Sequence, residues 1–263
     1  MNPSSHQLLL AETLELSFSD NGAGRPYLLL HGGAGPQSMN GLAAALQKNH
    51  RSIVPIHPGF AGKPRPDWFG LISDLALAYL ALLERLDLQE VVIVGNSVGG
   101  WIAAEMALRH SPRVAGIVLL NACGIDTGSP SKHIVDPMKL APADRAALAF
   151  HDPARYAIAP ATPEALADMA ENQRTLRVYA GEPFMHDPSL HARLSHMPVP
   201  SHVIWGESDR IVDIAYGQRF AAAMPHARFD IVPQAGHFPQ VEQLDKVVEL
   251  IEDFGDRVQN RSR

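Results

Sequence analysis

The sequence predicts an α/β fold: a mostly parallel sheet flanked by helices, with a small helical cap inserted in it. Three observations predict this. Short apolar runs alternate with segments of helical apolar spacing, the pattern of strands joined by crossover helices. The run Val91-Val92-Ile93-Val94 leads through Gly95-Asn96-Ser97-Val98-Gly99 into a small-residue helical stretch. Between about Gly124 and Met197 prolines crowd and no good strand is visible. That change divides the chain into a core, residues 1–123 and 198–263, and a cap, residues 124–197.

Taken in order, Leu8–Ala11 and Leu14–Phe18 read as two early strands. Tyr27–Leu30 is a short buried strand that feeds the turn His31-Gly32-Gly33-Ala34-Gly35-Pro36. Ile53–Ile56 is another, followed by a Pro- and Gly-rich loop from His57 to Pro66. Leu71, Leu75, Tyr79, Leu82 and Leu86 recur at helical spacing and predict a helix over 71–86. The strand at 91–94, a helix from Val98 to about His110 and a strand over Val114–Leu120 complete the first half. In the cap, Pro137, Pro142, Pro153, Pro160, Pro163, Pro183 and Pro188 predict short helical pieces rather than a long helix. Strands return at His202–Trp205 and Arg228–Val232, with a helix at about Ile214–Ala223 between them. A last helix from about Val241 carries Leu244, Val247, Val248, Ile251 and Phe254 on one stripe, with Glu242 in its first turn. Asp256–Arg263 reads as a frayed polar tail.

Composition bounds the function. Of 263 residues 46% are apolar, ordinary for a globular enzyme and too many for disorder. A net charge of -6 with no Lys/Arg cluster argues against a nucleic-acid partner. No apolar stretch reaches the ~20 residues that span a bilayer. The beginning of the chain lacks the basic and apolar regions of a signal peptide. The one cysteine, Cys123, cannot form an internal disulfide and reads as a small buried apolar residue. The expectation is a cytoplasmic protein acting on a small molecule without a membrane, whose apolar cap surface would permit a homo-oligomer.

The chemistry centres on Ser97. A strand that reverses sharply into a helix cramps the middle residue of the turn and pushes its hydroxyl out at the sheet's end. A serine hydroxyl becomes a nucleophile only when a base takes its proton and a third group orients that base. His237, in Gly236-His237-Phe238-Pro239 after the last strand, is the candidate base. Asp209, in Gly206-Glu207-Ser208-Asp209, is the candidate orienting carboxylate, with Asp126, Glu207 and Asp213 as competitors. All three candidates sit just beyond carboxyl ends of strands, which gather at one edge of a parallel sheet. The oxyanion of an acyl-transfer intermediate needs two N–H donors. The backbone of Val98 supplies one, and Gly33, with Ala34 as the alternative, supplies the other. No cofactor is required.

His31-Gly32-Gly33, Gly95-Asn96-Ser97-Val98-Gly99-Gly100, Gly206-Glu207-Ser208-Asp209 and Gly236-His237 together resemble the α/β-hydrolase superfamily over nearly the full length of the chain. That resemblance implies an α/β-hydrolase sheet with an inserted cap and a Ser-His-Asp triad. Asn96 before the nucleophile and Gly99-Gly100 after it resemble hydrolases that cleave carbon–carbon bonds in ring-fission products. Two departures separate the chain from that subfamily. Phe238 stands where a Trp is usual, and the turn reads Gly-Gly-Ala-Gly-Pro rather than Gly-Gly-Gly-Pro-Gly.

Other features take plainer readings. His186, His191 and His196 step by five residues, which does not keep them on one helical face, so no metal is expected there. The turn at 32–35 lacks the Lys-Ser/Thr of a phosphate loop and the glycine spacing of a dinucleotide fold. His31 steadies its turn. Met138, Leu140, Phe150, Tyr156, Met169, Tyr179, Phe184 and Met185 supply apolar cap surface. Arg145, Arg155, Arg174 and Arg177 are the cap cations that could receive a substrate carboxylate. The leading expectation is a carboxylesterase-like serine hydrolase working through an acyl-enzyme. Carbon–carbon hydrolysis of a dioxo acid, cofactor-free haloperoxidase or perhydrolase chemistry, and a non-catalytic binding module are the alternatives.

Overall fold

A computed structural model describes residues 5–129, 134–157 and 162–261. Pro160 and the last two residues of the expected tail lie outside them. Eight strands form one sheet in the order β1-β2-β4-β3-β5-β6-β7-β8. They are β1 (Ser5–Ala11), β2 (Leu14–Asn21), β3 (Pro26–Leu30), β4 (Arg51–Ile56), β5 (Val91–Asn96), β6 (Val114–Leu120), β7 (Ser201–Gly206) and β8 (Arg228–Val232). The β1–β2 and β2–β4 pairs are antiparallel, and every other pair is parallel. The sheet is therefore mostly parallel, as the alternating pattern predicted.

Side chains of a strand alternate between the two faces. Val91 and Ile93 of β5 join one core, which includes residues of α2 (Ile72–Arg85), α3 (Val98–Ala107) and α8 (Ile214–Ala222). Val92 and Val94 join the other, against α1 (Asn40–Leu46) and α10 (Leu244–Arg261). All six residues of β5 are buried, which explains why the strand reads as a continuous apolar run. Covered on both faces and central in the sheet, β5 is a rigid carrier for the turn at its carboxyl end.

Three expectations are corrected. The tail does not fray at Asp256, because helix α10 runs on to Arg261 with Phe254 and Val258 buried on its inner stripe. The last helix is instead interrupted earlier, where the short α9 (Pro239–Glu242) ends before α10 begins at Leu244. The stretch after β6 holds α4 (Pro142–Ala149), α5 (Pro153–Tyr156), α6 (Pro163–Ala180) and α7 (Leu190–Arg193). Helix α6 is 18 residues long, against the expectation of short pieces only. The prolines misled because they stand at helix starts. Pro142, Pro153 and Pro163 each open their helix, where the missing N–H costs nothing. Thr162 completes the start of α6 by accepting the Ala165 N–H on its hydroxyl at 3.2 Å. Among the described residues no helix is long and apolar enough to cross a membrane.

Candidate active site

Ser97 stands between β5 and α3 with φ 56° and ψ -119°, a conformation side chains rarely adopt. Holding it there costs about 1–3 kcal/mol, supplied by the surrounding structure. Close packing enforces the turn. A Cβ on Gly95 would lie 2.1 Å from the Gly99 carbonyl oxygen, and one on Gly99 would lie 2.2 Å from that of Leu30. Neither position has room for a methyl group, so the glycines let helix, turn and neighbouring strand meet backbone to backbone. Ser97 is 8% exposed.

The candidate base and its candidate partner are in direct contact. His237 Nδ1 lies 2.8 Å from Asp209 Oδ2. A carboxylate only accepts, so Nδ1 carries the proton and Nε2 is left as an acceptor. Asp209 is 5% exposed and saturated. Its Oδ1 accepts the Ile211 and Val212 N–H groups at 2.8 and 3.1 Å, and Oδ2 also accepts Asn121 Nδ2 at 2.7 Å. The competing carboxylates are engaged elsewhere. Asp126 accepts the Gly128 N–H, Glu207 the Gln234 N–H, and Asp213 opens α8 by accepting that of Tyr216. Ser97 is tied to the candidate base through its neighbour. Asn96 Nδ2 donates to the carbonyl of His237 at 3.0 Å and to that of Leu120 at 3.1 Å. The strand end carrying the hydroxyl and the loop carrying the imidazole are thus bonded to each other.

The candidate oxyanion donors face the same end of the sheet. Val98 is the first residue of α3, where an N–H has no acceptor within the helix. Gly33 and Ala34 are the central residues of a turn closed by Gly35 N–H to Gly32 O at 3.1 Å, so that bond uses neither of their N–H groups. Gly32 adjoins Ser97, since a Cβ there would be 2.9 Å from the serine Cβ. Behind this turn lie two stacked imidazoles, His31 and His57, with ring centres 3.7 Å apart. His31 Nδ1 donates to Gly32 O and its Nε2 accepts the His57 N–H. His57 Nε2 donates to His31 O, and its Nδ1 accepts the Tyr79 hydroxyl. Both rings are neutral: burial pushes His31 down to about 4, and burial together with the neighbouring His31 holds His57 well below its usual value. His31 steadies its turn, as its place in the sequence suggested. Cys123 is buried, its thiol pushed up to about 12 by desolvation.

Helix α6 lies over this region. Asn172 Oδ1 accepts the Ala61 N–H at 2.8 Å, Thr175 Oγ1 donates to Gly59 O at 2.7 Å, and Tyr179 Oη donates to Pro58 O at 2.9 Å. Leu176 packs on Gly33, with methyl Cδ2 2.4 Å from where a Cβ would stand. The four arginines singled out in the sequence make other contacts. Arg174 pairs with Glu171 and is 68% exposed, Arg155 lies over the Tyr156 ring, and Arg145 and Arg177 reach the sulfurs of Met169 and Met138. His186 and His196 contact Phe184 O and Ser195 Oγ within their own segments. Among the described residues no group of three His, Cys, Asp or Glu side chains is placed to hold a metal.

Sequence reasoning missed Asn121, which orients Asp209, and the tether made by Asn96. Asn121 left one signal, a polar residue directly ending the apolar run of β6. It placed Glu242 in a first helical turn but missed that its buried carboxylate accepts backbone N–H groups from residues 151, 152 and 236.

A profile of the alpha/beta hydrolase family matches residues 27–250. The chain is 27% identical to a 2-hydroxy-6-oxononadienedioate/2-hydroxy-6-oxononatrienedioate hydrolase of Paraburkholderia phymatum, over 92% of this chain and 91% of that one. It is 28% identical to a 2-hydroxymuconate semialdehyde hydrolase of Pseudomonas putida, over 96% and 95% of the two chains. Its fold is similar to that of a bromoperoxidase from Bacillus anthracis, with a TM-score of 0.78 at 19% identity, covering 95% of this chain and 99% of that one.

Proposed function

The chain belongs to the alpha/beta hydrolase family, and from that premise we propose that it is a serine hydrolase cleaving a small-to-medium carboxylic ester or related acyl compound. The observation that carries the reading is the Asp209–His237 pair, whose histidine loop is bonded to the residue before Ser97. Ser97 Oγ attacks the acyl carbon while its proton passes to His237 Nε2, and Asp209 stabilises the imidazolium. The N–H groups of Val98 and of Gly33 or Ala34 hold the oxyanion. Collapse expels the alcohol, which takes the proton from His237. Water then attacks the acyl-enzyme, giving its proton to the same nitrogen, and the acid leaves as Ser97 is reprotonated. Residues 124–197 act as the cap, with α6 and Leu176 closing the oxyanion side.

A fluorophosphonate probe tests this reading. Wild type is expected to label and to hydrolyse p-nitrophenyl esters, and Ser97→Ala to do neither; equal labelling of both would remove it.

One observation favours a second reading. Asn96 and Gly99-Gly100 resemble the carbon–carbon hydrolases, and the Paraburkholderia and Pseudomonas relatives are named as hydrolases of 2-hydroxy-oxo compounds. A coloured 2-hydroxy-6-oxo-dienoate should bleach on turnover if this is the natural reaction. Efficient bleaching alongside poor ester turnover would replace the first reading.

A further inference from the structure

The carboxylate of Glu242 sits in an unusual place for a charge. Its residue is 6% exposed, and among the described residues no Lys, Arg or His forms an ion pair with it. Three backbone donors from two distant segments meet it instead. Oε1 accepts the N–H groups of His151 and Asp152 at 2.9 and 3.0 Å, and Oε2 accepts that of Gly236 at 2.6 Å. The His151 N–H also reaches Oε2 at 3.2 Å. Gly236 immediately precedes His237.

The same two segments meet again beside this carboxylate. The His237 N–H donates to Ala149 O at 2.7 Å, and a Cβ on Gly236 would stand 2.3 Å from that oxygen. Tyr156 Oη donates to the carbonyl of Glu242 itself. Residues 147–151 also grip the loop of Asp209. Arg210 donates from its backbone to Leu148 O at 3.1 Å and from its side chain to Ala147 O at 2.8 Å, and His151 Nδ1 lies 2.8 Å from Ser208 Oγ. The end of α4 and the turn after it are therefore bonded to both loops that present the Asp209–His237 pair.

We propose that Glu242 is a positioning residue for the His237 imidazole, which it sets by binding the Gly236 amide and the 151–152 amides at once. The proposal rests on His237 being the base of the hydrolase reading. Hydrogen bonds to an ionised acceptor are roughly twice as strong as neutral ones, so the charge suits a post that three donors must share. A carboxamide there keeps one acceptor oxygen and turns an NH2 group toward peptide N–H groups. Either Gly236 or the 151–152 pair then loses its partner, and the backbone beneath the imidazole shifts. The side chain touches no reacting atom, so binding is spared while the proton transfer suffers.

The test compares Glu242→Gln, Glu242→Asp and Ser97→Ala with wild type on p-nitrophenyl butyrate, below the melting temperature of each. Glu242→Gln is expected to lower kcat by about 10- to 100-fold with KM changed less than about threefold, the signature of a small misplacement of a reacting group. The pH profile of kcat/KM is expected to change shape, and amide exchange is expected to accelerate together at 149–152 and 236–237. Glu242→Asp, which keeps the charge but falls short by one methylene, should lie between Gln and wild type. It decides the matter if the Gln variant does not fold. A lowered melting temperature with wild-type kcat and pH profile in either folded variant would overturn the proposal and leave Glu242 a structural residue. If Ser97→Ala still turns over the ester, the hydrolase reading itself fails. If Ser97→Ala is inactive and the Glu242 variants are unimpaired, only the positioning proposal falls.

Discussion

Replacing Asp209 by Asn changes one oxygen of the site to an NH2 group, and the structure says which one. The Oδ1 side faces two N–H donors, those of Ile211 and Val212, so the carboxamide oxygen must stay there. The NH2 group then takes the place of Oδ2, 2.7 Å from Asn121 Nδ2 and 2.8 Å from His237 Nδ1. Asn121 cannot turn to accept it without loss, because its own Oδ1 already accepts the Gly206 N–H at 3.1 Å. The imidazole relieves the clash by moving its proton to Nε2, which leaves Nδ1 as an acceptor and removes the site that should take the proton of Ser97. Loss of the correct tautomer in a triad costs about 10⁴-fold in kcat, equivalent to about 5 kcal/mol of transition-state stabilisation. The donor left facing a donor adds about 1–3 kcal/mol of lost folding stability. Steady-state ester hydrolysis reads the first quantity and urea denaturation the second. A folded Asp209→Asn protein that keeps kcat within about tenfold of wild type would refute the tautomer argument.

Two further outcomes rest on packing and burial. Folded His31 and His57 refuse the proton that the unfolded chain takes up near pH 6.5. Their contribution is complete above that pH and drains as pH falls toward 4, by up to about 1.4 kcal/mol per pH unit for each imidazole. Burial lowers His202 also, which adds to the same window. Urea midpoints at pH 7, 6 and 5 should fall in that order, and a flat series would contradict the neutral stacked pair. Gly99→Ala places a methyl 2.2 Å from Leu30 O and 2.7 Å from His31 O. Moving α3 off β3 to relieve this should cost about 1–3 kcal/mol in thermal or urea unfolding and lower kcat by about 100-fold; unchanged stability and rate would show that the contact yields easily.

The central strand β5 was legible because burial on both faces leaves an unbroken apolar run, and such a run needs no partner to be recognised. The elbow at Ser97 was legible for a related reason, since strand, turn and helix are contiguous in sequence. Asp209 was preferred to Asp126, Glu207 and Asp213 by position alone. What distinguishes it is four hydrogen bonds, one of them from Asn121, 88 residues away. Glu242 was read as a first-turn charge because the amides it binds at 151 and 152 lie 91 and 90 positions off. Helix α6 was missed for a local reason: a proline was counted as a stop where it is a start.

The joint between α6 and residues 58–61 is lopsided. In its hydrogen bonds the helix contributes three side chains at 172, 175 and 179, while the loop answers with main-chain atoms, and Phe60 alone adds a side chain by stacking on Tyr179. Swapping a residue on the helix strips away a partner outright. On the loop, a change of side chain leaves every hydrogen-bond partner in place so long as the chain keeps its path, which at Gly59 means a φ of 89°. Variants that remodel this edge can therefore be sought from the half-buried Ala61 and exposed Gly62 onward, with the helix sequence and the buried Pro58, Gly59 and Phe60 held constant.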